Sequence, residues 1–252
     1  TEDTQKKYIP ENYVPKSYGP IRLKEALWNS LNTATVRLSE KLGIGKIADF
    51  YKTHSLDLDH ESGYYGYGIS LGSVELSLEN IVEWYTKLSN LSDSSNFLIY
   101  QILSDKRNRS KTFGYSSILN TSLPLAVKTG TSTDFRDNWT IGYNQDITIW
   151  VWIGNADGSS MQDVSGVTGA GPIFHQIAEI MIEKKYITNP PIPTPKNIIE
   201  NYRCLDSSCF QKEHTYSQKW HTPKSILWEN IYYESDFFIS ITPEEKNKWK
   251  IK

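Results

Sequence analysis

Hydrophobic residues in this chain change their period near residue 125. Up to there they recur every three or four positions; between 125 and 154 they alternate, in LAVKTG (125–130), WTIGY (139–143) and DITIWVWIG (146–154). In the last segment Ile147, Ile149, Val151 and Ile153 fall on one face, as alternate residues of a strand do. WTIGY and DITIWVWIG read as a hairpin, and the economical arrangement of the three segments is an antiparallel sheet.

The flanking segments supply helices. IRLKEALWNSLNTATVRLSEKLG (21–43) places Leu23, Leu27, Leu31, Ala34 and Leu38 on a helical stripe that Gly43 and Gly45 stop. Its middle, NSLNT (29–33), is poor helix interior, because Ser, Asn and Thr side chains compete for backbone hydrogen bonds. Two helices meeting at a polar junction are expected there. GKIADFYKTH reads as a short helix and SGYYGYGISLG as a loop. SLENIVEWYTKLSN reads as a helix with Ser77 as N-cap and Leu78, Ile81, Val82, Tyr85 and Leu88 on one face. Residues 92 to 122 read as a polar region, and GPIFHQIAEIMIEKK as a helix with Pro172 in its first turn. TNPPIPTPK (188–196), with four prolines, reads as an extended linker. The expected organisation is therefore 1–187, the linker 188–196, and a small C-terminal extension 197–252.

Composition excludes some functions. The 27 basic and 29 acidic residues nearly cancel and form no long basic stripe, so a nucleic-acid or anionic-membrane partner has no electrostatic support. No stretch approaches the roughly 20 apolar residues of a membrane helix.

KTGTS (128–132) stands where the first strand runs out. Lys128 and Gly130 point to one face of such a strand and Thr129 to the other. The glycine leaves room for close approach to the backbone, and the lysine with the Thr129 and Thr131 hydroxyls offers donors to a carboxylate. An edge strand could accept an extended peptide in this way. The same lysine could instead serve only to blunt the edge against aggregation.

SLN (30–32) and KTGTS, whose first residues are 98 apart, resemble the S-x-N and K-T-G motifs of the penicillin-recognising serine enzymes. ALWNSLNTATVRL, YGYGISLGSVELSLENIVEWYTKLSN, AVKTGTSTDFRDNWTIGYNQDITIWVWIGN and GAGPIFHQIAEIM also look, in order, like the transpeptidase domain of class A penicillin-binding proteins. DFRDNW looks most like the 1C subgroup, and the resemblance covers roughly residues 8 to 185. It implies an α/β fold of the penicillin-binding and serine β-lactamase type, an antiparallel sheet, incomplete here, flanked by helices, with a small β-rich C-terminal appendage. It implies that Ser30 relays a proton to the leaving amine, Asn32 holds a donor-peptide carbonyl, and Lys128 polarises Ser30. Thr129, Gly130 and Thr131 would bind the terminal carboxylate of a D-alanyl-D-alanine stem peptide, with the Thr131 N–H as half of an oxyanion hole. The implied partners are peptidoglycan stem peptides and β-lactams, at the extracytoplasmic face of a bacterial inner membrane, with no cofactor and no metal.

That chemistry needs a serine one helical turn before a lysine, and no S-x-x-K occurs in this sequence. The nearest matches, TQKK (4–7) and CFQK (209–212), offer a threonine at the chain start and a cysteine beyond the linker, and neither suits a buried helix start. The expectation is the C-terminal portion of a longer bifunctional glycosyltransferase/transpeptidase, whose nucleophile and membrane anchor lie upstream. A short peptidoglycan-binding or scaffold protein without catalysis, and a β-lactamase-like serine hydrolase, are the competing readings. In the C-terminal segment Cys204, Cys209, His214 and His221 miss the usual zinc spacings. Export, which the resemblance implies, favours a Cys204–Cys209 disulfide over a zinc site. SILWENIYYE (225–234) and DFFISIT (236–242) are expected strands of the appendage.

Overall fold

A computed structural model describes residues 10–15, 18, 21–106, 116–204 and 212–218. The described residues form two compact units, one up to Glu75 and one from Leu76 onward. Cys209, His221 and the strands expected at 225–234 and 236–242 lie outside the described residues.

The first unit is helical. Helix α1 (Leu23–Trp28) and α2 (Asn32–Leu42) meet at the predicted polar junction. Ala26, Leu31 and Ala34 form its small core, with Ile21 and Leu23 packed against them. Helix α3 (Ile44–Thr53) follows directly from Gly43, whose φ of 86° opens the turn. The segment expected as a loop is instead a short helix, α4 (Ser62–Tyr65), continued by a 3-10 turn over Gly66–Ser70. Ile69, fully buried, plugs that turn into the unit, and the Tyr51 hydroxyl donates to its carbonyl at 3.1 Å. The repeated Gly and Tyr hid a single anchoring isoleucine.

The second unit opens with α5 (Leu78–Leu88), where Ser77 Oγ accepts from Asn80 N at 3.2 Å as an N-cap should. Helix α6 (Ser94–Ser104) occupies part of the stretch expected to be polar and irregular. Asp93 caps it by accepting from Ser95 N and Asn96 N at 2.8 and 3.0 Å. Its FLIYQIL run is broken only by Gln101, so no polar face marks the period, although the buried residues, Phe97, Tyr100 and Leu103, lie on one side of the helix.

The sheet is β1 (Ala126–Thr131), β2 (Asp137–Tyr143) and β3 (Thr148–Gly154), antiparallel in the order β1-β2-β3. Val127, Ile149 and Val151 face α7 (Ala170–Glu183) and pack with its Ala170, Phe174 and Ala178, and with Leu119, Leu125 and Ile187. Fully burying a Phe or Leu here contributes about 1.5–3 kcal/mol each. The other face carries Ile141 and Tyr143, and Tyr143 meets the rings of Tyr85 on α5 and Tyr100 on α6 at 5.9 and 6.0 Å. Burial is the main cause that raises both tyrosine pKa values, Tyr100 to about 12 and Tyr143 further still.

Residues 188–196 contain no helix or strand. They start at Thr188, whose amide and hydroxyl both donate to Asp146 Oδ2 at 2.7 Å and hold the Asp146 carboxyl below its ordinary pKa. Strands β4 (Ile198–Cys204) and β5 (Lys212–Gln218) then pair as an antiparallel hairpin, and Tyr216 meets Phe97 of α6 edge-on at 5.2 Å. No helix among the described residues is long and apolar enough to cross a membrane.

Candidate functional site

Ser30 and Asn32 share one helix junction in the first unit, and Lys128, Thr129, Gly130 and Thr131 share one strand edge in the second.

At the junction, Ser30 N donates to Leu27 O at 3.2 Å and Leu31 N to Ala26 O at 3.0 Å. This pair of bonds is the Schellman closure of α1, in which the first residue past the cap turns left-handed and is usually glycine. Here that residue is Ser30, exposed and with φ at 54°. A left-handed non-glycine residue costs about 1–2 kcal/mol. The side chain is not spent on capping α2, whose N-cap is Leu31 and which receives no side-chain cap. Asn32 opens α2, and its Nδ2 donates to the carbonyl of Glu11 at 2.9 Å. Beside it Asn12 Oδ1 accepts from the amide and the hydroxyl of Thr33 at 3.2 and 3.1 Å. Asn32 therefore already bonds to a backbone carbonyl of this chain itself, that of Glu11.

At the strand edge, Ser132 N donates to Asp137 O at 2.9 Å and Asp137 N to Ser132 Oγ at 2.7 Å. Antiparallel pairs alternate between exchanging hydrogen bonds and turning them outward. The next pairs along, Thr131 with Asn138 and Thr129 with Thr140, follow without a bulge. The amides and carbonyls of Thr129 and Thr131 therefore point away from β2, along an edge that no described strand covers. Lys128 Nζ donates to the Thr129 carbonyl at 2.9 Å. Burial pulls the Lys128 pKa down to about 8, because desolvation disfavours the ammonium. At neutral pH the lysine is still protonated by about ten to one.

Gly130 differs from expectation. The space above it, expected to admit a ligand, is filled by the Trp139 indole opposite it on β2: a Cβ on Gly130 would lie 2.1 Å from Trp139 Cε2. The glycine is required by this close approach, and access is left at the strand edge.

The hairpin tip beyond Thr131 is also tense. Asp134 and Phe135 are consecutive left-handed residues, with φ of 59° and 55°, held by Phe135 N to Ser132 O and Met161 N to Phe135 O, both 3.2 Å. Trp152 Nε1 fixes Asp137 from β3 at 3.0 Å.

Sequence reasoning missed Asn138 and Thr140, both fully buried on β2. Asn138 Nδ2 donates to Val164 O, and Thr140 Oγ1 to Gly166 O at 2.8 Å, so these side chains stitch the loop before α7 onto the sheet. Two polar residues at alternate strand positions, on a face otherwise apolar, were the signal available.

No protein-family profile matches the chain. Among curated proteins it is 27% identical over 218 residues to penicillin-binding protein 1C of Escherichia coli, covering 78% of this chain and 28% of that one. It is 27% identical over 228 residues to penicillin-binding protein 1A of Aquifex aeolicus, covering 79% and 31%. With penicillin-binding protein 1B of Buchnera aphidicola it shares 26% over 216 residues, covering 74% and 29%. The chain thus spans less than a third of these relatives' length. Penicillin-binding protein 1A of Haemophilus influenzae shares the fold at a TM-score of 0.69 and 14% identity, over 90% of this chain and 44% of that one. PonA1 of Mycobacterium tuberculosis, solved in complex with penicillin V, matches at 0.55 and 21%, over 74% and 62%.

Proposed function

We propose, for a chain that is related to the class A penicillin-binding proteins and folded like their transpeptidase domain, that it recognises the D-alanyl-D-alanine end of peptidoglycan stem peptides and the β-lactams that mimic it. The observation that carries this is the edge of β1 that no described strand covers, with the outward amides and carbonyls of Thr129 and Thr131 beside the Lys128 ammonium.

An extended donor peptide would add to that edge as a further strand, its carboxylate received by the Thr129 and Thr131 hydroxyls and the field of Lys128. The Thr131 N–H, aimed outward, suits an oxyanion hole, a donor whose loss typically costs about a hundred- to a thousand-fold in rate. In this reading Ser30 would pass a proton to the leaving amine and Asn32 would hold a donor carbonyl. The reaction served is acyl transfer: a serine attacks the penultimate D-alanine carbonyl, terminal D-alanine leaves, and a neighbouring stem amine takes the acyl group. That serine is not in this sequence, which has no S-x-x-K. We assign the chemistry to a longer bifunctional parent acting outside the cytoplasmic membrane. The same absence favours a second reading, a peptide-binding protein without catalysis.

The test is titration of the 252-residue chain with diacetyl-L-lysyl-D-alanyl-D-alanine and with its L-alanyl-L-alanine diastereomer. Preference for the D,D peptide, weakened by Lys128→Met and by Asn32→Ala, is the expected result; equal binding of both, or of neither, removes the proposal. A fluorescent penicillin should leave no adduct that survives denaturation. A stable adduct would reveal a nucleophile elsewhere in the chain, and steady turnover of a chromogenic cephalosporin would point to a hydrolase.

A further inference from the structure

We infer that Gly166 is a positioning residue that sets the direction of the Thr131 hydroxyl; this rests on the proposed recognition of a D-alanine carboxylate and names what selects that group.

A threonine hydroxyl has one proton to donate and two lone pairs to accept with. Gly166 N donates to Thr131 Oγ1 at 3.0 Å, which fills one lone pair and turns the hydroxyl proton away from the loop. Among the described residues no acceptor takes that proton, and Thr131 itself is exposed. The proton is therefore available to an incoming anion at the edge of β1 that no described strand covers. Without the Gly166 amide nothing would fill that lone pair, and the proton could turn toward the loop, leaving a lone pair facing the carboxylate.

The amide is fixed from several sides. Gly166 O accepts from Thr140 Oγ1 and from Gly171 N, both at 2.8 Å, the second at the start of α7. Ser165 and Thr168 close the turn, Ser165 N donating to Thr168 Oγ1 at 2.9 Å and Gly169 N to Ser165 O at 2.8 Å. The loop lies so near the sheet that a Cβ on Gly166 would meet Trp139 O at 2.6 Å and Gly130 O at 2.7 Å, with Thr129 Cβ at 3.1 Å. Backbone carbonyls cannot swing aside as a side chain does, so only glycine brings its amide this close. Helix α7, the loop, Thr140 and Thr131 form one rigid chain of contacts that ends in an aimed hydroxyl.

The experiment compares diacetyl-L-lysyl-D-alanyl-D-alanine with the same peptide amidated at its C-terminus, by NMR titration of the full chain. The unsubstituted protein is expected to favour the free acid by about tenfold, the scale of a charge-assisted hydrogen bond. Thr131→Val and Gly166→Ala should each cut that ratio several-fold, while Thr131→Ser keeps it, a pattern that a purely structural role would not produce. Where Gly166→Ala fails to fold, Thr140→Val serves instead: faster hydrogen exchange at the Gly166 amide and a reduced ratio are expected. An unchanged acid-to-amide ratio in folded Gly166→Ala, or in Thr140→Val, overturns the inference and leaves the proposed function standing. Failure of the unsubstituted chain to bind either peptide overturns both.

Discussion

The helix junction at Ser30 and the strand edge at Lys128 hold their polar residues by opposite means. The turn of the junction is local: the bonds that close it at Ser30 and Leu31 come from Leu27 O and Ala26 O in the preceding turn of helix and its tension sits in one left-handed serine, while Asn32 and Thr33 reach back to Glu11 and Asn12. The edge is global, since its side chains depend on Trp139 across the ladder, on Asn138 and Thr140 beneath, and on a loop 35 residues downstream of Thr131. A locally built corner can be relaxed without harm to the fold. An edge braced from elsewhere cannot.

The largest effect expected lies in the bracing of the edge. Phe174→Ala removes the ring at the centre of the packing between α7 and the sheet and should cost about 3–5 kcal/mol in chemical denaturation; a loss under 1 kcal/mol would show that the sheet does not depend on α7.

Lys128 comes next. Its pKa is lowered to about 8 from 10.5, so the folded state releases this proton before the unfolded chain does. Stability should therefore rise as pH climbs from 8 toward 10.5, by at most about 3 kcal/mol. Below that window the folded protein carries the full cost of the buried ammonium. In Lys128→Met the rise should vanish, and an identical pH profile in both proteins would contradict the burial argument.

Gly130→Ala drives a methyl into the Trp139 indole and should cost about 1–3 kcal/mol. The smallest effect has the opposite sign. Ser30→Gly relieves the left-handed serine and should stabilise by about 0.5 kcal/mol, after the extra freedom of glycine in the unfolded chain is deducted. The same substitution should remove any part Ser30 plays in catalysis. A Ser30→Gly protein that is less stable than the parent would mean that the contacts of the Ser30 side chain outweigh the strain of its backbone.

How much could be read beforehand follows the same division. The α1–α2 junction and the three strands were legible, because apolar spacing and the polar NSLNT interruption are local signals. Helix α6 was not, since its apolar residues surround the axis and leave no period. The short helix and 3-10 turn at 62–70 were hidden behind glycines that usually mean loop. At the site, K-T-G and S-x-N announce themselves as strings. Asn138, Thr140 and Gly166 do not, because their importance arises only when the loop before α7 folds back onto β2. The reason for Gly130 was legible only in part: close approach was foreseen, but its occupant is an indole from the chain itself.

The border of β1 that no described strand covers has a consequence of its own. Its outward backbone groups can pair with those of a second copy of this chain, two such borders lying antiparallel. At high protein concentration the isolated chain should self-associate along that seam, and a peptide able to occupy it should act as a solubiliser.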